Sequence, residues 1–167
     1  DVTERRNAEE ALRESEERLR AILEGSPTPT FVIDGHHRVI GWNRALEEMT
    51  GVRSGDVIGT GSHSKALYGE DRPTVADLLV DGVADLADAI RKWYGPTLRR
   101  SGLLDEAYEA TGPLAFPGRE EKWIHFTSAA VRDRRGDMVG AVETMTDISP
   151  LKKAEEELTL TVEKLRK

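Results

Sequence analysis

The chain carries nearly the same segment twice, once at each end. Asp1-Val2-Thr3-Glu4-Arg5-Arg6-Asn7-Ala8-Glu9-Glu10-Ala11-Leu12 aligns with Asp147-Ile148-Ser149-Pro150-Leu151-Lys152-Lys153-Ala154-Glu155-Glu156-Glu157-Leu158, with five of twelve pairs identical and three more conservative. One spaced repeat of this kind predicts a unit of a tandem array with a boundary segment at each end. Chance likeness of two Glu-rich helices is the competing reading, and the shared non-helical starts Asp-Val-Thr and Asp-Ile-Ser speak against it. Both segments also have heptad spacing. Ala8, Leu12, Ser15, Leu19 and Ile22 form one seam, and Leu151, Ala154, Leu158, Thr161 and Leu165 the other. Two to three heptads with Ala, Ser and Thr in the seam do not make a stable helix alone. Each helix therefore needs a partner, either a second copy of the chain or the surface of its own domain. Thr3 and Ser149 read as N-caps, with Pro150 at the first helical position. The chain divides into a linker helix at 1–25, a domain at 26–148 and an exit helix at 149–167.

Composition narrows what the domain does. With 24 Lys+Arg against 31 Asp+Glu the net charge is −7, so no basic surface invites a phosphate backbone and no nucleic acid partner is expected. The absence of cysteine excludes disulfides, thiolate zinc sites, a thiol nucleophile and a cysteinyl–flavin adduct. No apolar run approaches the roughly 20 residues of a membrane span, and the chain opens on no signal-peptide pattern. The expectation is a soluble, cytoplasmic piece without direct membrane contact, compatible with a membrane-anchored parent.

Within the domain, Ser26-Pro27-Thr28-Pro29 breaks the first helix. Phe31-Val32-Ile33 and Arg38 to Trp42 read as strands around an Asp34-Gly35 turn. Asn43 caps a short helix, Arg44 to Thr50, which Gly51 ends. A Gly-rich stretch follows. A helical region then places Val75, Leu78, Leu79, Val83, Leu86 and Ile90 on one face, with Gly82 as a break and Gly95-Pro96 as its end. Three strands close the domain, near 103–110, 122–132 and 138–146, the last two joined by a polar loop at 133–137. Two strands, a helical crossing and a three-stranded meander predict an α+β domain on one five-stranded antiparallel sheet, with helices on one face.

These pieces, in this order, resemble a PAS domain, the sensor module of bacterial and archaeal histidine kinases and related signalling proteins. The likeness is carried by Phe31-Val32-Ile33-Asp34-Gly35, Val39-Ile40-Gly41-Trp42-Asn43-Arg44-Ala45, Met49-Thr50-Gly51 and Asp56-Val57-Ile58-Gly59. It continues in Asp133-Arg134-Arg135-Gly136 and in the closing run from Val139 to Ile148. It departs at residues 60–120, longer than the usual helical segment and rich in aromatics. The resemblance implies a PAS-like fold and a signal-sensing module that binds a small molecule or a partner and passes its state through the C-terminal helix. It implies neighbouring PAS or kinase domains in the same chain and a homodimer through the terminal helices. A ligand-free dimerisation or spacer module is the alternative. It also implies neither haem nor flavin. PAS domains that hold haem usually supply a His from the long helix, and Thr74 to Tyr94 contains none. The Asn/Gln set that grips an isoalloxazine is missing too, with only Asn7 and Asn43 and no Gln.

If something fills the interior, a small organic molecule between apolar walls and a few polar groups is expected. The candidates for those groups are His63, Tyr68, Arg72, Tyr94, Tyr108 and His125. His63 is a pocket contact or a loop residue. Arg72 is a planar clamp for carboxylate or phosphate, or a loop cap. His125 shares a strand face with Trp123 and Thr127, so it faces either a ligand or a covered surface. Trp93-Tyr94 is core or a stacking platform. His36 and His37 read as exposed hairpin residues. Asp77, Asp81, Asp85 and Asp88 form a row opposite the apolar helical face, read as a solvated face rather than a metal site. Trp42 and Trp123 are expected to be buried. Gly59 and Gly61 alone make no phosphate loop. No nucleophile, base and orienter fall in a recognisable catalytic pattern, so no enzyme activity is expected of this segment.

Overall fold

A 24-residue helix, α1 (Val2–Gly25), opens the chain in the computed structural model, which describes residues 1–82 and 86–166. Its cap is Asp1, whose carboxylate accepts the Thr3 amide, rather than Thr3 itself. The chain then enters β1 (Thr30–Asp34) and turns back into β2 (Val39–Trp42). The Asp34 carboxylate holds this turn by accepting the His36 and Arg38 amides at 2.8 and 3.0 Å. Asn43, fully buried, caps α2 (Arg44–Thr50). Its Oδ1 accepts both the Leu46 amide and the Thr30 amide, at 3.1 and 2.9 Å, so one side chain starts the helix and ties it to β1.

The Gly-rich stretch is more ordered than its composition suggests. It contains two short helices, α3 (Ser54–Val57) and α4 (His63–Tyr68). The long helical region divides at Gly82, which takes a left-handed φ of 61°, into α5 (Val75–Asp81) and α6 (Leu86–Tyr94). Val83 and Asp85 lie outside the described residues.

The meander follows as β3 (Arg99–Arg100), β4 (Ala107–Leu114), β5 (Lys122–Arg132) and β6 (Met138–Asp147). The sheet is antiparallel and six-stranded, in the order β2-β1-β6-β5-β4-β3. Two features differ from expectation. β3 is an added strand, two residues long. The strand expected at 103–110 runs instead from 107 to 114, with Leu103 and Leu104 exposed in the preceding turn. Glu106, at a left-handed φ of 57°, makes the reversal. Pro113 is tolerated in β4 because β3 pairs only with Tyr108 and Glu109, leaving that edge free of a ladder Pro cannot complete. Gly140 is required where β1 meets β6, since a Cβ there would collide with the Ile33 carbonyl.

Helices cover one face of the sheet. Phe31, Ile33, Leu46, Leu67, Phe116, Ile124 and Met145 form the buried centre between the two layers. α7 (Ser149–Leu165) leaves from the end of β6 with Pro150 in its first turn. Ser149 is not the cap. The Asp147 carboxylate accepts the Ser149 amide at 2.9 Å, and the Ser149 hydroxyl accepts the Trp123 amide at 3.0 Å. Both heptad seams are open to solvent, with Leu12, Leu19, Ile22, Leu151, Leu158 and Leu165 all exposed. No described helix is long and apolar enough to cross a membrane.

Candidate functional site

Period-two alternation sends Phe31, Ile33, Ile124, Phe126, Ala141 and Met145 inward beneath the helices. Two polar residues share those inward positions. Ser128 on β5 and Glu143 on β6 are cross-strand partners, 3% and 0% exposed. Glu143 Oε1 accepts the Ala76 amide of α5 at 3.1 Å. Glu143 Oε2 and Ser128 Oγ have no hydrogen-bond partner among the described residues. Buried polar atoms are rarely left unpaired, and such atoms often await a water, a proton or a ligand. Burial first, then the nearby charge of Asp77, pushes the Glu143 carboxyl up to about 8, against the bond from Ala76 and the pull of the Ser128 hydroxyl close by. The sequence signal was available: an acid at an inward position of a strand whose inward neighbours, Ala141 and Met145, are apolar.

Beside this pair lies an aromatic cluster. The Tyr68 and Tyr94 hydroxyls meet at 3.0 Å, and Tyr94 also donates to the Pro73 carbonyl at 3.1 Å. Burial is the main cause that raises both phenols. The Arg72 guanidinium stacks 3.6 Å from the Tyr68 ring centre and 5.1 Å from that of Tyr94, a cation–π arrangement. A half-enclosed cleft of about 260 Å³ opens here. Arg72, Trp93 and Tyr94 wall it on the helical side, and Phe126 with β4 residues 110–114 on the sheet side. Of the six sequence candidates, Arg72 and Tyr94 line this cleft, and Tyr68 packs against both without lining it. Tyr108 packs against the core on the same sheet face without lining the cleft. Trp93 is a cleft wall rather than core.

His63 and His125 lie elsewhere. His63 is the first residue of α4, 2% exposed, with its ring 5.6 Å from that of Phe31. Its Nε2 bonds to the Asp77 carboxylate at 2.9 Å. His125 points to the sheet face away from the helices, where Nδ1 meets Thr111 Oγ1 at 3.1 Å. Trp123, on that same face, is only half-buried, beneath the Lys152 ammonium 4.6 Å from its ring.

The acidic row is not a solvated face at Asp77. That carboxylate is buried, completes a capping box with Thr74, and gathers His63 and His37. Burial acts to raise it, but His63, His37 and the Thr74 amide together hold it down at about 2. His37 correspondingly departs from the exposed-hairpin reading. It bridges Asp77 at 2.7 Å and Asp81 at 2.6 Å, and the two carboxylates raise it against the effect of burial. This network pins the β1–β2 turn and α4 to α5. No group of three metal-ligating side chains with suitable geometry occurs among the described residues.

The PAS fold family model matches residues 17–148. Among solved structures, the PAS domain of BvgS from Bordetella pertussis is similar at 15% identity and a TM-score of 0.54, covering 89% of this chain and 98% of that one. An RNA-binding Light-Oxygen-Voltage receptor gives 16% and 0.58, covering 89% of this chain and 37% of that one. A PAS domain from a two-component sensor histidine kinase gives 7% and 0.50, covering 81% and 97%. At these identities the likeness is one of fold. No curated protein matches the chain.

Proposed function

The chain belongs to the PAS fold family, and on that premise we propose that it is the sensory module of a larger signalling protein, a sensor histidine kinase, that binds a small molecule between sheet and helices. The observation that carries this reading is an aromatic cleft walled by Arg72, whose buried Nε has no hydrogen-bond partner, with Ser128 Oγ and Glu143 Oε2 among the other unpartnered atoms of the same interior. An interior built only for packing would not leave them unsatisfied.

Strand β5 offers the route outward. It carries Phe126 on the cleft wall and Ser128 beside Glu143, and its beginning is clamped to α7. Ile148 N–H donates to the Trp123 carbonyl at 2.8 Å, and Trp123 N–H donates to the Ser149 hydroxyl. A ligand that shifts β5 therefore shifts the start of α7. It biases output only as far as it binds the two arrangements unequally. The exposed seams of α1 and α7 suit a parallel homodimer whose coil passes that bias to a neighbouring domain.

Native mass spectrometry of the freshly purified chain tests the reading. A retained small molecule, released on denaturation, is the expected result. A chain that carries nothing and takes up nothing from a metabolite extract is a dimerisation module instead.

A further inference from the structure

We propose that the cleft takes a small organic monocarboxylate with a flat apolar body, its carboxylate held by Arg72; this rests on the small-molecule sensor reading above. Arg72 is permanently charged. Among the described residues no carboxylate lies within salt-bridge distance of it. Its compensation comes from rings: Tyr68 at 3.6 Å, Tyr94 at 5.1 Å and Trp93 at 5.8 Å. Stacking uses the faces of a guanidinium, whereas its five N–H donors lie in its plane. Of these, Nε is buried with no partner and remains for a ligand. The planar fork matches a carboxylate, and the pairing is charge-assisted.

The rest of the cleft sets the body of the ligand. Trp93, Tyr94, Phe126, Pro113 and Leu114 are its apolar walls, and about 260 Å³ holds a single-ring acid but no haem or nucleotide. A phosphate monoester carries about −1.5 to −2 charges at neutral pH. With Arg72 as the one cation lining the cleft among the described residues, such a dianion keeps charge unpaired against apolar walls. A neutral molecule can accept from the guanidinium but brings no opposite charge to it. A monoanion satisfies both.

Calorimetric titration of the full chain with benzoate, 3-phenylpropionate and neutral benzamide tests this, alongside native mass spectrometry. One of the two acids is expected to bind at least about ten-fold more tightly than benzamide, the scale of one charge-assisted hydrogen bond. Arg72→Met should lose that preference while still melting cooperatively. Because a Cβ at Gly112 meets nothing within 4 Å, Gly112→Leu grows into open space on the cleft wall, and should lose binding of acid and amide alike. If benzamide binds as tightly as the acids, or Arg72→Met keeps the preference, the carboxylate assignment is wrong and the sensor reading stands. The same holds if no probe binds but a neutral molecule is retained from the cell. If nothing binds and nothing is retained, both readings fall.

Discussion

At Glu143 an acid occupies a place in the sheet where its neighbours on the same face are apolar. Asp77, Tyr68, Tyr94 and Arg72 all act on it electrostatically. Its carboxyl ionises near 4.5 when free and at about 8 in the folded chain. Between those values the folded state holds the extra proton, so this group's contribution to stability falls as pH rises across that window. Asp77 works in the opposite sense. Its contribution is present above 3.8 and is lost as pH falls toward about 2. The raised His37 contributes below 6.5 and loses its share as pH climbs through its folded value. The stability maximum therefore lies on the acid side of neutrality. Glu143→Gln removes the alkaline loss. Its melting temperature should match the wild type near pH 5 and exceed it at pH 8. A variant that melts below wild type at pH 8 by more than at pH 5 would show that the buried acid is ionised and paired. Trp42 gives a separate test of packing. It is 2% exposed and donates through Nε1 to the Val52 carbonyl at 3.1 Å. Trp42→Ala should cost about 3–5 kcal/mol in urea unfolding, and a loss under about 0.5 kcal/mol, typical of surface positions, contradicts the packing described.

The terminal helices make their prediction at the scale of elements. Neither α1 nor α7 buries a residue in its own chain, so their seams await another surface. Sedimentation of the wild type at about 100 µM, high enough for short coils to associate, should show a dimer. Leu12→Lys with Leu158→Lys should give a monomer whose domain melts unchanged. Equal, monomeric behaviour of both proteins contradicts the coil. How much of each element could be read in advance depends on how local its determinants are. The first helix of the domain was legible because its caps, Asn43 and Gly51, directly flank its seven residues. The heptads were legible because a seam is a periodicity. β3 was not, because Arg99 and Arg100 become a strand only when Tyr108 and Glu109 lie beside them. Nor was the inward turn of Asp77, whose partners His37 and His63 lie 40 and 14 residues away. Two of the six candidate residues, Arg72 and Tyr94, reached the cleft, with Tyr68 packed against them, because an aromatic and cationic composition between helices could be seen. His125 did not, because alternation fixes two strand faces without saying which one the helices cover.

Across the whole molecule, β5 runs from the cleft wall at Phe126 to the start of α7 at Ile148 and Ser149. The absence of a cysteine and of a histidine in 74–94 also leads to an optical prediction. Protein expressed with haem precursor and riboflavin should purify without absorbance between 350 and 600 nm, and a stoichiometric Soret or flavin band surviving gel filtration would overturn it. The link from cleft to helix is open to direct measurement by hydrogen exchange, comparing the wild type with Gly112→Leu, whose side chain stands in for an occupant of the cleft. The amides to follow are Ile148, which donates to Trp123, and Lys152, which donates to Ile148, with the central β6 amides as an internal reference for global stability. The expected result is altered protection at Ile148 and Lys152 together with β4 and β5, while β6 is unchanged. Protection that changes in β4 and β5 but stops short of α7 would contradict the proposed coupling, because the cleft would then have no mechanical path to that helix.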